Sequence, residues 1–347
     1  MKKISLWLVF IAIAAVSCGP RSPRGAQGRV VTVTIPPFAW FVEQIGGDDF
    51  TVNVLLPPGA DHHIWEPLPA QISSLSGSEA FIMNGQLGFE HAWMDRFRQV
   101  NPNMKVLDLS RHIELLGPRH PSGIGVSAPP GAEPQSEGLG SEGLRSEGLR
   151  SEGLGSKGFK SEGHGAEGVE HEEGDHEDHG HAHGGPDPHY WMSPSAALIM
   201  ARDVHDFLVG LNPASSEKYD SNLSVVNRKI SEVDSLVRVA LGPGPHPTVM
   251  IYHPALAYMG RDYGFEQVSF EDEGKSPSPA RMKQLIDLAR ENEIKIIFIQ
   301  AEYDVRNAES LSRETGARLV VINPMNSDWP EAVMEIARAV GGKDFRF

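Results

Sequence analysis

Short runs of β-branched and apolar residues alternate along this chain with segments whose apolar positions recur every three or four residues. That pattern predicts strands alternating with helices. Arg29 to Ile35 (RVVTVTI) reads as a buried strand; Pro36 and Pro37 end it, and Phe38 to Ile45 has the spacing of a short helix closed by Gly46 and Gly47. A strand from Phe50 to Leu56 follows, then a helix over 69–76, a strand over 80–84, a helix over 90–99 and a strand over 105–108. Helical spacing returns at Ser195 to Leu211, stops at Asn212-Pro213, and resumes from about Ser215 to Leu241. At 1.5 Å per residue that last helix would be about 40 Å long, enough to run the length of two lobes and to limit hinge motion between them. Beyond Gly242-Pro243-Gly244-Pro245 strands are predicted over 248–252, 266–270, 296–300 and 318–322, with helices over 256–263, 279–292, 307–315 and 330–340. The fold class expected is α/β: two parallel-sheet lobes joined by one long rigid helix.

The ends and the middle of the chain do not follow this grammar. Lys2 and Lys3 precede an apolar run from Ile4 to Val16, which is too short to span a bilayer and reads as a signal peptide over residues 1–17. Ala15-Val16-Ser17-Cys18 resembles a bacterial lipobox, with Ala where Leu is commoner. Cys18 is therefore the expected lipidation site, followed by a flexible tether over 18–28, and the mature protein is expected outside the cytoplasm, held to a membrane by its lipid. Residues 136 to 170 are seven five-residue units (SEGLG, SEGLR, SEGLR, SEGLG, SKGFK, SEGHG, AEGVE), each with a Gly and few large apolar side chains. Such a segment cannot bury enough surface to offset its ordering entropy, so an insert of about 118–186 is expected to be disordered. The lobes are then expected at 29–192, which carries the insert, and at 246–347, with connecting helices over 193–245.

Composition narrows the function. The net charge of the 347-residue chain is −15, and residues 133–187 alone hold 14 acids and four bases, −10 of that total. So acidic a chain is not expected to grip nucleic acid. A single cysteine excludes an internal disulfide, a CxxC redox pair and a thiolate zinc knuckle.

In open parallel sheets ligands bind beyond the carboxyl ends of the strands. Three of the 15 histidines lie in loops compatible with that position, each close to proline: His63 in GADHHIWEP, His189 in DPHYWMSP and His253 in YHPA. Any one alone would be read as an ordinary loop residue. Three neutral imidazoles from separate loops are a common zinc-ligand set that leaves one tetrahedral position to fill.

GADHHIWEP, DPHYWMSP, YHPALAYMGRDYG, EGKSPSPARM and the final NPMNSDW resemble the successive signatures of the cluster A-I metal-binding proteins of ABC importers, the ZnuA/TroA-like family. The resemblance covers 29–347 apart from roughly 115–185. It implies two α/β lobes on one rigid helix, the metal in the interlobe cleft, His63, His189 and His253 as ligands, and a membrane permease as partner of a monomeric binding protein. Many relatives, manganese binders especially, carry Asp in the motif that here reads Val321-Ile322-Asn323-Pro324, and those binders replace the third histidine with Glu. This chain keeps His253 and has Asn323. Imidazoles suit zinc where manganese prefers oxygen, so Zn(II) is the expected ion. His62, Glu302 and Asn323 are the candidates for a fourth ligand or outer partner, with water a further option; His62 is expected to be a solvent-facing neighbour.

His164, His171, His176, His179, His181 and His183 alternate with carboxylates at the end of the insert, a composition that collects divalent ions weakly and with little geometric selectivity. The reading is a zinc-capturing lipoprotein that performs no covalent chemistry. An extracellular zinc hydrolase is the competing class, disfavoured by the lack of HExxH or of an obvious general base. A manganese binder of the same family and a surface adhesin are further alternatives. The acidic run Glu271-Asp272-Glu273-Gly274-Lys275 is expected to be a capped turn, and Trp40, Trp65 and Trp191 are expected to shield the metal from water.

Overall fold

The computed structural model of the chain describes residues 29–117, 185–244, 246–271 and 276–342. The signal peptide, Cys18 and its tether, the five-residue repeats, the histidines from His164 to His183 and Asp272 to Lys275 lie outside the described residues. The first lobe contains β1 (Arg29–Val33), α1 (Pro36–Gly46), β2 (Phe50–Val54), α2 (Pro69–Ser74), β3 (Ala80–Met83), α3 (Gly88–Val100) and β4 (Lys105–Asp108). Then come α4 (Pro194–Leu211) and α5 (Ser216–Leu241). The second lobe runs β5 (Val249–Ile251), α6 (Ala257–Tyr263), β6 (Gln267–Ser269), α7 (Pro279–Glu291), β7 (Ile296–Gln300), α8 (Arg306–Thr315), β8 (Arg318–Ile322) and α9 (Trp329–Val340).

Each lobe is built on a four-stranded parallel sheet, ordered β2-β1-β3-β4 and β6-β5-β7-β8. The two orders are the same topology, and each reverses direction beside its first strand, where the crevice at the carboxyl ends opens. Prolines mark several helix starts: α1 begins at Pro36, two residues earlier than its apolar spacing predicts, because the fixed proline φ suits a first turn. Ser193 and Asp328 cap α4 and α9, accepting hydrogen bonds from Ala196 N–H and Glu331 N–H.

The long helix α5 buries Tyr219, Val226, Ile230, Val233, Val237 and Ala240, a stripe at intervals of three, four and seven. It packs against α1 and α4 at one end and α9 at the other. Near the α9 end a Cβ on Gly341 would lie 2.0 Å from the Ala240 carbonyl oxygen, so only glycine permits that approach.

One apolar cluster is shared by both lobes. Trp329, at the start of α9, is fully buried with ring centroids 5.5 Å from Trp40 and 5.7 Å from Phe41 on α1. Its indole N–H donates to the Trp191 carbonyl at 2.6 Å, and the Trp191 indole donates to the Pro324 carbonyl at 3.0 Å. A second cluster, with Met250, Ile297, Ile299, Leu285 and Leu311, fills the other face of the second sheet. Separating the lobes would expose the shared cluster at roughly 25 cal/mol per Å² of apolar surface, so large swings are unfavourable.

A buried carboxylate organises the loop after β3. Glu90 is fully buried; one oxygen accepts from Asn84 N–H at 2.7 Å and the other from Gly85 N–H at 2.7 Å. Asn84 in turn accepts from the Tyr190 hydroxyl at 2.6 Å and donates to the Pro188 carbonyl at 3.0 Å. Burial outweighs those donors and pushes the Glu90 carboxyl up to about 7. A carboxyl whose folded pKa exceeds its unfolded value stabilises the fold fully below about 4.5, and that stability is lost as pH rises through about 7. Urea unfolding at pH 4 and pH 8 should show the wild type losing about 3 kcal/mol more than Glu90→Gln across that range; equal losses would contradict the assignment.

Candidate metal centre

His63 and its neighbour His62 stand in the loop between β2 and α2, where the backbone turns rather than extends. Ile64 and Trp65 N–H both bond the Asp61 carbonyl, at 3.3 and 2.9 Å, and the Asp61 carboxylate accepts His63 N–H at 2.9 Å. In an extended strand successive side chains diverge; in this turn the rings of His62 and His63 lie 4.0 Å apart, centroid to centroid. His62 is therefore only 3% exposed and not the solvent-facing neighbour its adjacency suggests.

His189 begins a single 3-10 turn, His189–Met192, that leads into α4. Its Nδ1 lies 2.8 Å from Asp187 Oδ1, which also accepts His189 N–H at 2.9 Å. Asp187 is fixed through its backbone, whose carbonyl accepts the Tyr258 hydroxyl at 2.7 Å and whose N–H bonds the Leu116 carbonyl at 2.9 Å.

His253 follows the inner strand β5, and the registers on either side choose its partners. Ile251 pairs with Ser269 on β6 and with Phe298 on β7. Two residues further on, the same registers place Glu271 and Gln300 beside His253. The Glu271 carboxylate meets His253 Nδ1 at 2.9 Å, while the Gln300 amide donates to the His253 carbonyl at 2.6 Å and accepts its N–H at 3.3 Å.

These segments bring four imidazoles together, and among the described residues His62, His63, His189 and His253 are the one group with metal-ligand geometry, offering nitrogens all within 4.8 Å of one another. Nε2–Nε2 separations are 3.0 Å for His62 and His189, 2.8 Å for His63 and His253, and 3.2 Å for His189 and His253. A tetrahedral zinc with bonds of 2.0–2.1 Å has ligand–ligand edges of about 3.3 Å, so a slight expansion would fit the ion. Where Nδ1 donates to a carboxylate, as in His189 and His253, Nε2 turns a lone pair inward, the usual outer arrangement of metal-ligating histidines. Crowded inward lone pairs repel one another unless a cation lies between them. Burial, then the neighbouring imidazoles, hold His62 well below the ordinary histidine pKa, so it stays neutral and able to ligate.

The other candidates take different places. Glu302 is half-buried outside the group of four, its carboxyl pushed up by burial. Asn323 is exposed, and its Oδ1 accepts Met325 N–H at 3.0 Å, closing its own turn. Trp191 lies against the site, its ring 5.1 Å from His189 and 6.0 Å from His62. Trp40 instead packs on Trp329, and Trp65 on Phe89 at 4.9 Å. Glu271, expected in a capped turn, is the outer partner of His253; neither its role nor those of Asp187 and Gln300 was predicted from the sequence. Asp187, two residues before a histidine beside proline, carried the one local signal.

The profile of the periplasmic zinc-uptake complex component A family, ZnuA, matches residues 31–133 and 138–337. The chain belongs to the ZnuA family. It is 25% identical to the high-affinity zinc uptake system protein ZnuA of Bacillus subtilis over 91% of this chain and 85% of that protein. It is 24% identical to the zinc-binding lipoprotein AdcA of Streptococcus pneumoniae over 94% of this chain, spanning only 56% of AdcA's length. The manganese-binding lipoprotein MntA of Halalkalibacterium halodurans is 21% identical, over 91% of this chain and 87% of that protein. A ZnuA crystal structure superposes with a TM-score of 0.69 at 26% identity, covering 92% of this chain and all of the other. The ZnuA family therefore contributes the two-lobed α/β fold, and its members are solute-binding proteins with divalent-metal-binding relatives. No helix among the described residues is long and apolar enough to cross a membrane.

The carboxylates outside the imidazoles generate a test. Asp187→Asn and Glu271→Gln each weaken the acceptor for an Nδ1–H and should lower divalent-metal affinity about 10- to 100-fold in competition titrations, with little change in apo-protein melting. Affinities within twofold of wild type would remove these carboxylates from the site.

Proposed function

We propose that this protein captures Zn(II) outside the cytoplasm with His62, His63, His189 and His253 and presents it to the membrane permease of an ABC importer. The observation that carries the reading is the convergence of four imidazoles, three of them buried. An all-nitrogen set with no carboxylate in the inner group favours zinc over manganese, whose harder ion prefers oxygen. This chemical argument is needed because both zinc-binding and manganese-binding proteins are among the relatives.

His62 serves as the fourth ligand in this reading, in place of Glu302, Asn323 or water. Four imidazoles fill a tetrahedron, whereas a hydrolytic zinc keeps an open position for water. The protein is accordingly a carrier and not an enzyme. It acts as a monomer tethered through a lipid on Cys18, and His164, His171, His176, His179, His181 and His183 gather zinc at low affinity beside the tight site. Because the lobes share a buried cluster, loading and release use loop adjustments and a small closure rather than a wide swing.

Zinc titration by calorimetry with chelator competition tests the proposal. The full chain should bind one tight zinc plus weaker ions, and deleting residues 133–186 should remove only the weaker ones. His62→Ala should lower the tight affinity by at least tenfold. Affinity should fall on acidification, since protons compete for the imidazoles. Tighter binding of manganese than zinc, or loss of the tight site in the deletion, would overturn it.

A further inference from the structure

His189 and His253 reach the metal centre from distant parts of the chain, yet one short helix holds both. Only Pro254, Ala255 and Leu256 separate His253 from α6, and Ala255 N–H bonds the His253 carbonyl at 2.9 Å. The start of that helix is itself fixed, because the buried Gln267 side chain on β6 accepts Leu256 N–H at 2.9 Å.

Tyr258 stands in the first turn of α6 and is fully buried. Its hydroxyl donates to the Asp187 carbonyl at 2.7 Å and accepts Leu116 N–H at 2.9 Å, while Asp187 N–H bonds the Leu116 carbonyl at 2.9 Å. Three groups thus close a ring of bonds around the backbone of Asp187, whose carboxylate holds both Nδ1 and N–H of His189. The Tyr258 ring lies 6.3 Å from that of Tyr190, the residue after His189. The same helix also takes hold beyond the histidine: the Asp262 carboxylate accepts the Ser193 hydroxyl and, at 2.9 Å, the Ser195 hydroxyl. α6 therefore grips the chain on both sides of His189, before it through Tyr258 and after it through Asp262. A buried hydroxyl engaged as donor and as acceptor leaves two polar groups unpaired when it is removed, so the grip is not easily replaced.

We propose that Tyr258 is a positioning residue of the metal centre: its hydroxyl ties Asp187, and through it His189, to the helix that follows His253, so that α6 sets the spacing of these two ligands. This rests on the metal-binding reading above. Tyr258 is not one of the four grouped side chains and acts only through Asp187. The Nε2 atoms of His189 and His253 are 3.2 Å apart, near the edge length of a zinc tetrahedron. A movement of α6 carries both rings together and keeps that separation. Geometry selects among divalent ions alongside ligand type, so freeing the pair should cost a small ion more than a larger one.

Chelator-competition titrations of the full-length protein with Zn(II) and with the larger Cd(II) test this role. Tyr258→Phe keeps the ring and removes the hydroxyl; it should lower zinc affinity about tenfold and cadmium affinity less than threefold. Tyr263→Phe is the control, since its hydroxyl, on the same helix, donates to Asp234 on α5 at 2.7 Å instead, and both affinities should stay within twofold of wild type. In an Asp187→Asn background Tyr258→Phe should cost less than threefold in zinc affinity, because the carboxylate it positions is gone. Equal losses for the two ions, a zinc affinity within twofold of wild type for Tyr258→Phe, a full tenfold loss in the Asp187→Asn background, or the same loss from Tyr263→Phe would overturn the assignment. A wild type that takes up no divalent ion would instead reject the metal-binding reading. The positioning role is then judged by imidazole nitrogen NMR of the metal-free protein, where Tyr258→Phe should shift the His189 Nδ1 resonance and Tyr263→Phe should not; an unmoved resonance would overturn it.

Discussion

Four imidazoles lie within a few ångströms of one another, and much of this structure serves to keep them together. Two of the three inner histidines are gripped from behind. Asp187 and Glu271 fix the Nδ1 protons of His189 and His253, and Gln300 clamps the His253 backbone with both ends of its amide. The supports are themselves anchored, Asp187 by Tyr258 and Leu116, and Glu271 by the continuation of the β5–β6 ladder through its N–H to the Tyr252 carbonyl at 3.1 Å. The four nitrogens are close enough together to hold one divalent ion.

The lobes provide the rigidity this requires. α5 spans them, Trp329 inserts against α1, and the Trp191 segment hydrogen-bonds into the second lobe on its way from His189 to α4. A buried aromatic joint of this kind keeps the inner three imidazoles at fixed separations. The His63 turn is the most exposed part of the site.

The order of elements was readable because β-branched runs and three-to-four spacing survive without knowledge of tertiary contacts: strands at 105–108, 296–300 and 318–322 coincide with β4, β7 and β8. Prolines and strand ends mark the loops that carry His63, His189 and His253, and the structure brings these three rings together. His62 was misread because adjacency in sequence was treated as divergence in space, which holds for a strand and fails in the Asp61 turn. Glu271 and Gln300 were invisible as partners of His253, being 18 and 47 residues away; only the registers of β5 with β6 and β7 bring them alongside.

X-ray absorption at the zinc edge of the loaded protein tests the central claim most directly, because it counts the atoms around the ion. The account predicts four nitrogen neighbours at about 2.0 Å with the multiple-scattering signature of imidazole rings. A shell of five or six neighbours dominated by oxygen, or one with fewer than three imidazoles, would contradict it.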